Sequence, residues 1–119
     1  RNMVMRELDV PHDAAAPRWR LGSLAPGRGF RVAVIGAGMS GILMAYRLRQ
    51  ADIACVVFEK NPAVGGTWFD NAYPGCRLDT PNFAYSYSFA QNPGWPSEFS
   101  RQGAILEYFT TLTKRFGIE

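Results

Sequence analysis

Apolar positions change their period several times along the chain, and each change marks an element. Val32 to Ile35 is an unbroken apolar run, as in a parallel strand buried on both faces, and predicts a strand over 31–36. Over 39–50, Ile42, Leu43, Ala45, Tyr46 and Leu48 recur at helical spacing. A second apolar run, Ile53 to Phe58, predicts a strand over 53–59, with Asp52 as the turn residue before it. Residues 60–82 carry Asn61-Pro62, Gly65-Gly66, Pro74-Gly75 and Pro81-Asn82, and read as one long loop. A loop that long inside a compact domain is usually functional. Over 83–90 the period is two: Phe83, Tyr85, Tyr87 and Phe89 alternate with Ala84, Ser86, Ser88 and Ala90, which predicts an extended segment with one buried aromatic face. After Pro93, Gly94 and Pro96, a helix is expected over 101–116, with Ile105, Phe109, Leu112 and Phe116 as its apolar stripe. Ser100 is its expected N-cap and Gly117 its closing glycine. Residues 1–30, broken by Pro11, Pro17, Gly22, Pro26, Gly27 and Gly29, read as a connecting segment that Trp19 and Leu21 tie to the body.

The two predicted strands and the helix between them form a β-α-β unit, and its turn has the spacing G-x-G-x-x-G at Gly36, Gly38 and Gly41. Gly36 permits the tight turn out of the strand, Gly38 lets a diphosphate approach the backbone, and Gly41 lets the helix pack close to the sheet. Phosphates then meet the free N–H groups and positive dipole end of the helix, at Met39 and Ser40. Glu59, at the tip of the second strand, follows Gly41 by 18 positions. Its carboxylate can accept from ribose hydroxyls and repels a 2′-phosphate, so the site suits the adenosine of FAD or NAD rather than that of NADP. The glycines alone are a weak signal, because such turns also serve packing only. A strand before them, a helix after them and the acid in place make the dinucleotide reading specific.

Composition narrows the picture. At 119 residues the chain is one domain at most. Two parallel strands are fewer than such a sheet normally holds, so a partial domain of a longer protein is expected. A hydrophobic content of 47% is globular, and a net charge of +3 from scattered basic residues makes no nucleic-acid patch. No apolar run approaches the roughly 18 residues of a membrane span. Two cysteines without metal-ligand spacing fit a reducing cytoplasm. Cys55 reads as core; Cys76, in a loop beside Arg77, reads as packing or as a reactive thiol. His12 is the only histidine and reads as solvated, and a lone histidine builds neither a zinc site nor a hydrolytic triad.

The second informative block is Ala63-Val-Gly-Gly-Thr-Trp68 with Asn71-Ala-Tyr-Pro-Gly-Cys-Arg-Leu-Asp79. Gly65 and Gly66 let the backbone pass close to a cofactor, Thr67 offers a hydroxyl and an N–H, and Trp68 an apolar plane with one donor. Arg77 and Asp79 either pair with each other or serve a site. Taken with Gly36 to Gly41, Glu59-Lys60 and Tyr85-Ser-Tyr-Ser-Phe89, this block resembles the N-terminal FAD-binding portion of Baeyer–Villiger monooxygenases, class B flavoprotein monooxygenases, over about residues 30–119. Ala16-Pro-Arg-Trp19 is similar to members with an N-terminal extension, such as 4-hydroxyacetophenone monooxygenase.

The resemblance implies an α/β fold: a Rossmann-like FAD-binding β-α-β unit over 31–119, part of a larger flavoprotein with two dinucleotide domains. It implies FAD as cofactor, with the diphosphate on Gly36, Gly38, Met39, Ser40 and Gly41 and the ribose at Glu59 and Lys60. Gly66, Thr67, Trp68 and Tyr85 would line the flavin, and Asp79 would act beside the isoalloxazine. NADPH would reduce the flavin from a site outside these residues, O2 would be captured as a C4a-peroxide, and a ketone would become an ester or lactone. The expected partners are therefore a ketone, O2 and the remainder of the polypeptide. After Asp79 the chain reads Thr80-Pro81-Asn82, which departs from the family, and the family's second nucleotide unit and catalytic arginine have no counterpart here; Arg77 is not that arginine. Three alternatives stand beside this reading: an N- or S-oxygenating flavin monooxygenase, a fragment without activity of its own, and an NAD-dependent dehydrogenase domain, which would not need Trp68 or the aromatic segment.

Overall fold

The structure, a computed structural model, describes residues 13–118. Residues 1–12 of the connecting segment, His12 among them, lie outside the described residues. The chain then forms a single helical turn, α1 (Leu21–Leu24), before strand β1 (Arg31–Ile35), helix α2 (Met39–Gln50) and strand β2 (Ala54–Phe58). The strands pair in parallel, in register from Arg31 opposite Ala54 to Ile35 opposite Phe58. A parallel pair needs a crossover, and α2 supplies it, burying Ile42 and Ala45 against the strands. Asp52 turns the chain out of α2 in the left-handed region (φ 56°), and the Ile53 N–H closes the helix end on the Leu48 carbonyl at 2.9 Å.

A one-turn helix, α3 (Thr67–Asp70), and the long helix α4 (Gln102–Phe116) complete the regular structure of the described residues, with a 3₁₀ turn at Ser88–Ala90 between them. The predicted stripe of α4 is inside: Ile105 and Phe109 are 0% exposed. The core lies between α2, α4 and the irregular segment 76–90 rather than on the sheet. Tyr46 of α2 stacks on Phe89 (4.7 Å between centroids) and Phe116 (4.2 Å), and the Arg47 guanidinium sits 4.6 Å from the Phe89 ring centre. The two-stranded sheet leaves Ile35 81% and Phe58 57% exposed. Gly117 ends α4 at φ 61° as expected, and Arg49 donates to the Phe116 and Gly117 carbonyls.

Five local expectations are corrected. Residues 83–90 are not extended: the Pro81 carbonyl accepts from the N–H groups of Ala84 and Tyr85, which folds the segment into turns. Phe83 consequently faces solvent, while Ser86 and Ala90 are buried. The cause is Asn82, whose side chain bonds the Ser97 carbonyl, the Ser100 hydroxyl and the Ser100 N–H; such side-chain bonds compete with strand pairing. For the same reason Ser100 is not the N-cap. It is fully buried on Asn82, and Arg101 occupies the cap position. Residues 60–82 are not loop throughout, since α3 interrupts them. Cys55 is half-buried, not core, because β2 has an open edge among the described residues. Trp19 is 47% exposed and anchors little. The segment is held instead by the Leu21 N–H on the Ala51 carbonyl, the Asp13–Arg47 pair and the exposed Arg20–Asp52 pair.

Candidate functional site

Two glycine turns meet where β1 ends. Gly36 leaves the strand at φ +93° with its N–H on the Phe58 carbonyl (2.7 Å), so the turn stays tied to β2. Gly41 lies so close to that turn that a Cβ on it would sit 1.9 Å from the Gly36 carbonyl oxygen. The second turn, Gly65-Gly66, lies directly against the first. The Gly65 N–H donates to the Ala37 carbonyl (3.0 Å), and a Cβ on Gly66 would come within 2.8 Å of the Gly38 Cα. The missing side chain of Gly66 thus lets the two turns touch, whereas a Cβ on Gly38 would make only ordinary contact with Gly66, at 3.5 Å from its Cα.

The cleft over these turns has a volume of about 340 Å³ and is open on one side. Its floor is Gly36, Gly38 and Gly41, with Met39 and Ser40 from the first turn of α2. The Ile42 N–H already bonds the Gly38 carbonyl, whereas the N–H groups of Met39, Ser40 and Gly41 precede the helix's own ladder and are available to an anion. The far wall is Gly66, Thr67, Trp68 and Tyr85. Trp68 donates its indole N–H to the Tyr85 hydroxyl at 2.9 Å, with the rings edge to face at 5.8 Å. Nine of the twelve residues expected at a cofactor are therefore gathered in one cleft.

The other three stand apart. Glu59 is half-buried behind the first turn. It accepts the Ala37 N–H on one oxygen (2.5 Å) and the Asn61 N–H on the other (2.9 Å). These donors, Ala37 first, hold its carboxyl below the usual range. Lys60 pairs with Asp70 of α3 at 3.1 Å, which ties α3 to the tip of β2. Asp70 is likewise lowered, first by its bond from Asn61. Asp79 is exposed and outside the cleft lining, and no ion pair joins it to Arg77. Cys76 is 8% exposed within the core, so the loop presents no open thiol there.

Sequence reasoning missed the supports of this cleft. Tyr87 donates its hydroxyl to the Met39 carbonyl at 2.5 Å, pinning the start of α2, and burial pushes its phenol up in pKa. Gln102, from α4, donates to the Trp68 carbonyl and holds α3 in place. Ile35 adds an apolar edge. None of these has a local signal, because each acts on a residue at least 34 positions away or is merely apolar. Among the described residues no cluster of His, Cys, Asp and Glu can hold a metal, and no helix is long and apolar enough to cross a membrane.

Comparison with known proteins agrees with this fold. A family model described as an NAD(P)-binding Rossmann-like domain matches residues 34–99. A Baeyer–Villiger monooxygenase of Streptomyces coelicolor is 51% identical over 89 residues, which covers 74% of this chain and 17% of that protein. Among solved structures, closed cyclohexanone monooxygenase superposes with a TM-score of 0.70 at 33% identity, over 77% of this chain and 19% of that one. OTEMO in complex with FAD and NADP gives 0.68 at 36% identity, over 76% and 18%. The chain spans 14% to 17% of the length of the first curated relatives it matches.

Proposed function

We propose, for a chain that belongs to the NAD(P)-binding Rossmann-like domain family, that the cleft holds the ADP half of FAD and serves a flavin-dependent monooxygenase of the Baeyer–Villiger type. The observation that carries this reading is the contact of two glycine turns beneath the free N–H groups of α2. A diphosphate fits there: it needs several convergent donors and no side chain in its way. Met39, Ser40 and Gly41 would bind it, and Glu59 and Lys60 lie on the side where its adenosine ribose would go. Thr67, Trp68 and Tyr85 would continue along the flavin, which favours FAD over NAD, since an aromatic wall matches an isoalloxazine. Asp79 is assigned by resemblance to the neighbourhood of that ring. The bound flavin would supply the oxygen activation, and the protein's share is to hold, orient and exclude water.

On this reading NADPH and O2 are co-substrates and ketones become esters or lactones. The Tyr73-Pro-Gly-x-Arg-x-Asp79 block favours ketones over the amines and sulfides of N- or S-oxygenating enzymes. The finer subtype, 4-hydroxyacetophenone monooxygenase-like, rests on Ala16-Pro-Arg-Trp19 alone. On the same resemblance the nicotinamide site and the catalytic arginine belong to other residues, so the 119-residue chain is expected to bind FAD weakly at most and not to oxidise NADPH. The test is titration with FAD, read by quenching of tryptophan emission and by a shift of the flavin spectrum, with Gly66→Ala as control. Its Cβ would strike Gly38 and its φ is +54°, so the variant should bind at least tenfold more weakly. A wild-type chain that leaves the flavin spectrum unchanged refutes the reading.

A further inference from the structure

We infer that Glu59 is a positioning residue: its carboxylate staples the glycine turn into its binding shape before any nucleotide arrives, whatever contact it later makes with a ribose. The inference deepens the proposed use of the cleft and rests on it. Ala37 sits between the first two glycines and is 4% exposed. Its carbonyl is taken by the Gly65 N–H, and its own N–H by one Glu59 oxygen. The other Glu59 oxygen takes the Asn61 N–H at the exit of β2. One carboxylate therefore joins three segments: the β1–α2 turn, the end of β2 and, through Ala37, the Gly65-Gly66 turn.

Physical consequences follow from the donor count. If a ribose drew the carboxylate away, the Ala37 N–H would be left without a partner where water has little access, and a buried unpaired donor is costly. A ribose hydroxyl must then donate to a lone pair the staple leaves free, which a carboxylate with two oxygens can supply. The Ala37 N–H is also withheld from the diphosphate, so its donors come from Met39 onward. Glutamine cannot replace the staple, because it has one acceptor oxygen for two N–H groups that lie on opposite oxygens.

The experiment uses the full chain with Glu59→Gln and Glu59→Asp. Amide hydrogen exchange of Ala37 and Asn61 is measured without ligand, and affinities for ADP and dideoxy-ADP are measured by calorimetry. In E59Q, Ala37 should exchange roughly tenfold faster, and both nucleotides should lose roughly tenfold in affinity, the hydroxyl-free one as much as the other. E59D, with both oxygens on a shorter arm, should fall between. If E59Q loses its native circular dichroism, E59D carries the same comparison. A loss confined to ADP, or Ala37 exchange as slow as in the wild type, overturns the inference. A wild-type chain that binds neither nucleotide defeats the cleft reading instead, while the ligand-free exchange still judges the staple.

Discussion

Replacing Gly41 with alanine sets two physical effects of opposite sign against each other. Gly41 is the third residue of α2, and helix propensity alone makes alanine more stable there by up to about 1 kcal/mol. The tertiary contact says the reverse. The new Cβ would lie 1.9 Å from the Gly36 carbonyl oxygen, more than an ångström inside the 3.0 Å limit that real Cβ contacts respect. The neighbour is backbone, held by the Gly36 N–H on Phe58, so it cannot rotate away. Relief requires α2 to lift off β1, which loosens Ile42 (1% exposed) and Ala45 (2%). Overpacking costs about 1–3 kcal/mol, and with only backbone to yield the top of that range applies, so after the propensity gain of up to about 1 kcal/mol the clash should win by about 2 kcal/mol net. For a domain of this size that is a fall in Tm of about 5–15 °C. Gly103→Ala is the matched control. Gly103 lies in the first turn of α4 with nothing within 4 Å of a new Cβ, and should be neutral or gain up to about 1 kcal/mol. The assay is urea unfolding of both variants by circular dichroism at constant m-value. A G41A protein as stable as wild type would refute the close approach of α2 to the turn, and with it the shape of the cleft.

Other perturbations test separate parts of the molecule. Phe109→Ala empties a site that is 0% exposed and should cost about 3–5 kcal/mol in the same urea assay. Tyr87→Phe removes the bond to the Met39 carbonyl and should cost about 0.5–1.5 kcal/mol, with weaker flavin binding as a second readout. The pH dependence has a fixed sign. Glu59 and Asp70 titrate below their ordinary values of 4.5 and 3.8, so their stabilisation is complete above those values and is lost as pH falls through the lowered folded-state pKa values. An acid titration of Tm should show this limb, and Glu59→Gln should flatten it; a limb of unchanged steepness in that variant would count against the bonds from Ala37 and Asn61.

The β-α-β unit, its glycine turn and the α4 stripe were legible along the chain because each depends on contacts between near neighbours in sequence. Val32 to Ile35 runs apolar, Gly36, Gly38 and Gly41 recur at turn spacing, and Ile105, Phe109 and Leu112 repeat with the helix. Most of the residues that line the cleft were legible for the same reason. What misled was the alternation over 83–90. Its period of two is genuine, but a strand also needs a partner, and Asn82 turns the backbone onto Ser97 and Ser100 instead. Ser100 has the side chain of a cap, but Asn82 engages both its hydroxyl and its N–H.

Residue order thus decided which elements form and which chemistry they can carry: short-range periodicity, backbone permissiveness and side-chain type are properties of adjacent positions. Packing decided where that chemistry converges. Gly38 meeting Gly66, Tyr87 reaching Met39 and Glu59 clasping Ala37 join positions 22 to 48 residues apart or lie across two turns, and no window of local pattern contains both partners. Such contacts exist once the hydrophobic burial of α2 and α4 has brought the segments within bonding distance, which is why the cleft could be named from its residues but not shaped from them.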